Sequence, residues 1–455
     1  MQVIDPSTGE VKARYALMDE RALEAALARS AAAFRAWRET SFAERARLLE
    51  RVASSLRARA DGLALRMATE MGKPLAQGRA EVEKCAWVCE HYAARAADYL
   101  ASEPIDVGAD RALVTYRPLG PVLAIMPWNF PFWQVFRQAA PALMAGDTVL
   151  LKHAENVPGC AEDLAALFAD AGAPDGVLES LRIERARVAR VIADARVRAV
   201  TLTGSARAGR AVAAQAGAAL KKTVLELGGS DPYVVLADAD LERAADACVA
   251  SRLINAGQSC IAAKRFVVVR DVHDRFVELV VERMARARVG DPREPTTEVG
   301  PLAREDLRAT LDDQVRRSIA AGAEVALGCE VPDGPGFFYP PSVLTAVTPG
   351  MAAFDEELFG PVAAVVEARD EAEAVVLANA SPYGLGAAVF TRDPARGRRL
   401  AEHALEAGTV AVGAFVRSDP RLPFGGIGDS GYGRELGRHG IHELVNVKTI
   451  FVSVS

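Results

Sequence analysis

Long apolar runs, clustered cysteines and an excess of either charge are all missing from this chain. Its apolar runs, such as PVLAIMP and DTVLLKH, stop far short of the ~20 residues a membrane-spanning helix needs. The opening segment MQVIDPSTGEV has neither a basic stretch nor an apolar core, so no secretory signal is expected. Basic and acidic residues number 54 and 60, well mixed, for a net charge of −6. That balance offers no basic face to nucleic acid and no polybasic anchor to a membrane. Six cysteines, at 85, 89, 160, 248, 260 and 329, are too scattered to staple 455 residues, and no metal site is expected. Cys85 and Cys89 lie four apart in AEVEKCAWVCEHYAARAADYL, a helix-packing spacing rather than C-x-x-C. The reducing cytoplasm is the expected compartment.

What is present is alternation. Length allows two or three domains of ~100–200 residues each. Residues 18–100 read as successive amphipathic helices, broken near Thr40, Asp61 and Gly72. From Arg117, short β-rich runs (PVLAIMP, DTVLLKH, RAVTLTG, KTVLELGG) alternate with helical stretches, which predicts a parallel sheet covered on both faces. A second series follows: DPYVVL, a helix over 241–255, AKRFVVVRDV, a helix over 273–288, GPVAAVVEARD, GAAVFT, a helix near 395–407, and TVAVG. Two α/β units are therefore expected, meeting near Gly228–Gly229. The tail HELVNVKTIFVSVS alternates like a strand and is expected to join another sheet, such as a partner subunit's.

Three residues stand out chemically. Cys260 lies in NAGQSCIAAK, where small neighbours would admit a substrate to its sulfur. The same thiol also reads as a small buried hydrophobe. Glu226 ends an apolar strand and runs into Gly-Gly, so it is either a general base with raised pKa in a cleft or a structural carboxylate. Asn129, between the prolines of IMPWNFPFW, is either an oxyanion donor or a turn residue bonded to itself. Two glycine patterns compete for a nucleotide. LTGSARAGRAV sets Gly204 and Ser205 after a strand and at a helix start, which suits a pyrophosphate. The literal G-x-G-x-x-G at Gly426, Gly428 and Gly431 follows no strand and is read as a flexible loop.

In order, DPSTGE, MPWNFP, LLKHAE, TGSARAG, ELGGSDP, GQSC, EELFGPV and PFGGIGDSGYGRE resemble the aldehyde dehydrogenase superfamily over nearly the whole chain. The resemblance implies two Rossmann-like parallel-sheet domains and a small β element for oligomerisation. Residues 1–97 with 117–228 would bind NAD, 229–440 would be catalytic, and 98–116 with 441–455 would join subunits into a homodimer or homotetramer. Cys260 would attack an aldehyde to give a thiohemiacetal, whose alkoxide Asn129 and the Cys260 N–H would hold. Hydride transfer to nicotinamide would leave a thioester that Glu226 hydrolyses through water. Lys152 and Glu155 would grip the adenosine ribose. Pro127, Trp128, Gly204, Ser205 and Leu227 would line the cofactor groove, and Glu357 and Phe359 would hold the nicotinamide ribose. A carboxylate at Glu155 accepts from both ribose hydroxyls and repels a 2′-phosphate, so NAD is expected to be preferred, with NADP possible.

Within the superfamily, LLKHAENVPGCA, AALKKTVLELGGSDP and YRPLGPVLAIMPWNFPFWQV resemble short bacterial succinate-semialdehyde dehydrogenases, and His153 is shared with that subgroup. Trp133, Arg137, Ser418 and Phe424 would form the substrate pocket, with Arg137 on the carboxylate and Arg417 a weaker candidate. Two departures matter. Ile254 replaces a second arginine that some such enzymes carry, and Ala262 replaces a second cysteine, so no local disulfide switch is expected. Glutarate semialdehyde or an aliphatic aldehyde is the alternative substrate. Transfer to coenzyme A and a catalytically silent scaffold are the alternative functions, both opposed by the presence of Glu226.

Overall fold

The computed structural model describes residues 1–108 and 111–453. After an antiparallel pair of short strands, Gln2–Ile4 and Val11–Arg14, come four helices, at Glu20–Trp37, Phe42–Ala58, Ala60–Met71 and Leu75–Tyr99. Asp19 and Ser41 cap two of them, each accepting a backbone N–H of the first turn. The break expected near Asp61 falls at Arg59, and Asp61 itself is helical.

The first large sheet runs Gly431–Tyr432, Lys222–Glu226, Ala199–Thr203, Pro121–Met126, Thr148–His153, Leu178–Ser180. All neighbours are parallel except the short edge strand Gly431–Tyr432. Its central strands are apolar throughout because both faces are covered. Leu123 and Leu150 pack with Leu23, Leu27 and Val212 on one side. Val122, Ala124, Val149 and Leu151 pack with helices Phe42–Ala58, Leu75–Tyr99 and Trp133–Ala145 on the other.

The second sheet runs Glu324–Leu327, Ser342–Thr345, Val362–Ala368, Arg265–Val269, Pro232–Val235, Gly386–Phe390, Thr409–Val412, with only the Glu324–Leu327 edge antiparallel. Val267 and Val366 face one core and Phe266 and Val365 the other. The fold class is thus α/β with two parallel sheets, as the alternation of strands and helices predicted. Helix Glu305–Ala320 and the strands at 324–327 and 342–345 were not foreseen, and the helices expected at 241–255 and 273–288 run Leu241–Leu253 and Arg270–Ala285.

The C-terminal strand Val445–Val452 joins a third sheet, as its alternation suggested, pairing inside its own chain antiparallel to Arg111–Pro118 over eight residues, with Glu103–Asp106 on the far side. The residues of this predicted oligomerisation element at 109, 110, 454 and 455 lie outside those described. One expectation is corrected. The glycine-rich loop read as flexible is pinned twice: Ile427–Gly428 pairs with Tyr383–Gly384, and Gly431–Tyr432 with Leu225–Glu226.

Candidate active site

Cys260 follows helix Leu241–Leu253 through a strained turn. Asn255 (φ 54°), Ala256 (φ 53°) and Gly257 (φ 75°) are consecutive left-handed residues. Only the glycine adopts that conformation without cost; the other two carry roughly 1–2 kcal/mol each. Surrounding polar groups hold the turn open. Arg252 donates to the Gly257 carbonyl at 2.6 Å, and the fully buried Lys264 donates to the carbonyls of Ser259 (2.9 Å), Cys260 (2.7 Å) and Ala262 (3.3 Å). Gly228 and Gly229 show why the preceding strand ends in two glycines. A Cβ on Gly228 would come 2.5 Å from Glu357 Oε2, and one on Gly229 2.8 Å from the Cys260 carbonyl.

The sulfur-bearing residue borders a cavity of about 720 Å³. Trp133, Arg137, Ser418 and Phe424, the four residues predicted for a substrate pocket, line the same cavity, together with Lys84, Phe130 and Arg417. Asn129 sits behind it. Its side-chain amide donates to the Gln258 carbonyl at 3.1 Å, two residues before Cys260. Its backbone carbonyl accepts from Lys73 Nζ and from Asn255 Nδ2, both at 2.8 Å. The loop carrying the amide and the turn carrying the thiol are therefore docked on each other.

Glu226 ends its strand fully buried, and neither carboxyl oxygen has a hydrogen-bond partner among the described residues. Burial raises its pKa well above the carboxylate range; Arg137 opposes and the neighbouring Glu435 reinforces that shift. Burial also pushes the Cys260 thiol up to about 12, with Arg137 and Lys264 pulling it down and Glu357 and Glu226 pushing it further. Thiol and carboxyl thus feel one another. Arg137, expected to meet a substrate carboxylate, is 2 % exposed and already engaged. It forms an ion pair with Glu435, reaches Thr203 Oγ1 at 3.4 Å and lies 4.7 Å over the Phe424 ring.

The residues predicted for a dinucleotide gather at the C-terminal ends of the first sheet. Lys152 Nζ is 3.6 Å from Glu155, whose side chain is half-exposed, and burial lowers the lysine's pKa. Ser205 caps helix Ala206–Ala218, accepting from the Ala208 N–H at 3.3 Å, and Gly204 donates to the Glu226 carbonyl at 2.9 Å. Leu227 packs on Gly209, where any Cβ would strike its branches. Glu357 accepts from the Gly229 N–H at 3.0 Å and lies 3.5 Å from Lys264. Phe359 meets Trp128 edge-on at 5.8 Å, and Pro127 joins Trp128 to its strand. An ammonium, two carboxylates and a helix N-terminus make a donor set that fits ribose hydroxyls and a pyrophosphate. His153, singled out by subgroup resemblance, has an internal task. Its Nε2 donates to the Pro131 carbonyl and its Nδ1 accepts from the Ala154 N–H, both at 2.8 Å. Burial lowers its pKa to about 4, keeping the ring neutral and the MPWNFPFW loop tied to strand Thr148–His153.

Sequence reasoning missed the buried Lys73–Glu81 pair, Lys84, Lys264 and Glu435. The lysines at 73 and 84 read as polar positions beside and within helical segments, and only packing shows Lys73 buried and Lys84 half-buried. Glu435 lay within a motif already noted, PFGGIGDSGYGRELG, but its partner Arg137 is remote in sequence.

A thiol and a buried carboxyl where two parallel sheets meet, with Lys152, Glu155 and Ser205 at the strand ends of the first, fit an α/β oxidoreductase. The chain belongs to the aldehyde dehydrogenase family, which it matches over residues 1–450. It is 49 % identical over 448 residues to the succinate semialdehyde dehydrogenase [NAD(P)+] Sad of Escherichia coli, covering 98 % of this chain and 97 % of that protein. It is likewise 49 % identical to succinate-semialdehyde dehydrogenase [NADP(+)] 1 of Mycobacterium tuberculosis, covering 99 % of each. The crystal structure of the Streptococcus pyogenes succinic semialdehyde dehydrogenase in complex with NADP+ superposes with a TM-score of 0.97 at 38 % identity, over 99 % of both chains.

Proposed function

We propose that this chain oxidises succinate semialdehyde to succinate with a nicotinamide dinucleotide, using Cys260 as nucleophile. The observation that carries the reading is the cavity: a thiol at its border, an unpartnered buried carboxyl within electrostatic reach, and cationic side chains on its walls. The names of the relatives support the substrate. The Cys260 thiol gives up its proton to water, the thiolate attacks the aldehyde carbon to give a thiohemiacetal, and Asn129 with the Cys260 N–H steadies its alkoxide oxygen. When bound, the dinucleotide would supply the hydride acceptor. Loss of hydride turns the thiohemiacetal into a Cys260 thioester. Glu226 then takes a proton from water, whose oxygen displaces the sulfur and releases the acid. Lys152, Glu155, Ser205 and Glu357 would hold the dinucleotide.

The finer assignments extend this reading. Residues 1–97 with 117–228 form the nucleotide unit and 229–440 the catalytic unit. Residues 98–116 with 441–455 join copies of the chain into a homodimer or homotetramer, and the enzyme works in the cytoplasm. Glu155 favours NAD over NADP, although relatives are named for NADP+. The test is kcat/KM for succinate semialdehyde, glutarate semialdehyde and butanal with each dinucleotide. Succinate semialdehyde with NAD should lead, and Cys260→Ala should abolish turnover while NAD still binds. Equal kcat/KM for butanal would overturn the substrate, and a clear NADP preference would overturn the role of Glu155.

A further inference from the structure

Arg137 spends its Nε on Glu435 and its Nη2 on Thr203, and Arg417 is exposed with its guanidinium 4.7 Å over Phe415. The remaining cation on the cavity wall is Lys84. It belongs to helix Leu75–Tyr99, and its ammonium sits 2.7 Å from Ser418 Oγ and 4.3 Å over the Trp133 ring. No carboxylate forms an ion pair with it among the described residues. The two nearest acids are occupied, Glu81 by Lys73 and Asp419 by Arg421 at 2.7 Å. An ammonium has three N–H donors, and the Ser418 hydroxyl accounts for one. Burial, reinforced by Arg137, lowers its pKa to about 8, with Cys85, Asp419 and Glu81 opposing. A half-buried cation that pairs with no carboxylate among the described residues, beside an apolar cavity that also holds the thiol, is a receptor for an anion that arrives with the substrate.

We propose that Lys84 determines specificity for aldehyde acids: its Nζ, with Ser418 Oγ, receives the carboxylate at the end of the substrate remote from Cys260. Arg137 holds Glu435 in place and adds positive charge to the same cavity wall. This rests on the aldehyde-acid reading above and assigns the recognition to a residue outside the expected set.

The test is the ratio of kcat/KM for succinate semialdehyde to that for butanal, in the wild type, Lys84→Met and Lys84→Arg. In Lys84→Met the ratio should fall about 10- to 100-fold, the worth of a charge-assisted hydrogen bond, mainly through KM of the acid. Lys84→Arg, which keeps the charge, should retain it to within about five-fold. In the wild type the ratio should decline as pH rises through about 8, and Lys84→Met should lose that decline. If the wild type prefers succinate semialdehyde and Lys84→Met keeps the preference, the assignment of Lys84 is wrong while the substrate stands. If the wild type prefers glutarate semialdehyde and Lys84→Met removes that preference, Lys84 is confirmed and only the chain length of the substrate changes. A wild type that favours no aldehyde acid over butanal overturns both. Should Lys84→Met fail to fold, the arginine variant and the wild-type pH profile decide alone.

Discussion

Cys260 and Glu226 are both shifted by burial toward their protonated forms, which shapes how the residues behave before and during turnover. Burial favours the protonated thiol of Cys260, so a proton acceptor or a nearby positive charge must draw that proton off before the sulfur attacks. A carboxyl whose pKa is raised is a stronger base once ionised, but it ionises only as pH climbs above the ordinary carboxylate range. The sign follows directly: the fraction of Glu226 in its basic form grows with pH, so steady-state kcat should rise toward alkaline pH. Glu226→Gln should remove that rise and lower kcat by about 10²- to 10⁴-fold. A burst of NADH stoichiometric with enzyme should survive in the variant if thioester hydrolysis is the step Glu226 serves; loss of the burst would assign Glu226 to an earlier step. These two residues and Asn129 stood out because each interrupts an apolar or small-residue segment with one reactive group, but that pattern also fitted structural residues, and their expected roles came from the family resemblance. Glu435 and Lys84 were not, since a charged residue in a helix or glycine loop reads as solvated until its neighbours are known.

At the scale of elements, the site depends on loops that secondary structure only partly specifies. The long apolar strands were legible because burial on both faces leaves uninterrupted Val, Leu and Ala runs. Leu178–Ser180 and Gly431–Tyr432 were invisible for the opposite reason: they are edge strands of three and two residues with no pattern of their own. The left-handed pair Asn255–Ala256 was equally hidden, because alanine carries no signal for that conformation. What fixes the Asn129 loop is a pair of buried charges. Lys73 reaches the Asn129 carbonyl, while Glu81 accepts the N–H groups of Phe132 and Trp133 at 2.9 Å, at the start of helix Trp133–Ala145. Burial lowers the pKa of Lys73, and Glu81 opposes that shift. Removing the carboxylate leaves an ammonium fully buried without its counter-ion, a loss of about 3–5 kcal/mol. Glu81→Gln should therefore lower the thermal midpoint and cut kcat, whereas Lys73→Met with Glu81→Gln together should recover part of the stability. A double variant no more stable than the single would show that the two charges are not coupled.

Over the whole molecule, the two large sheets bury both of their faces, but the third sheet leaves much of its surface exposed. Strands Glu103–Asp106, Arg111–Pro118 and Val445–Val452 form a ribbon with a free outer edge on each side. The tail was legible as a strand from its alternation. Its partner was not, because the pairing with Arg111–Pro118 joins segments more than three hundred residues apart, and no local pattern encodes such a register. The alternation also left a surface unexplained. Val447 and Phe451 share one face of the strand and are 59 % and 61 % exposed, while Ile105 and Val107 are exposed in and beside the Glu103–Asp106 strand. Large apolar side chains displayed together on a ribbon with open edges are what a subunit contact would cover. If this ribbon joins subunits, the double variant Val447→Asp/Phe451→Asp keeps the intramolecular ladder, whose hydrogen bonds are backbone to backbone, yet places two carboxylates inside the contact. Sedimentation velocity should then show the wild type as a dimer or tetramer and the variant shifted to the monomer. A wild-type monomer, or a variant that sediments unchanged, would show that the ribbon is not the contact.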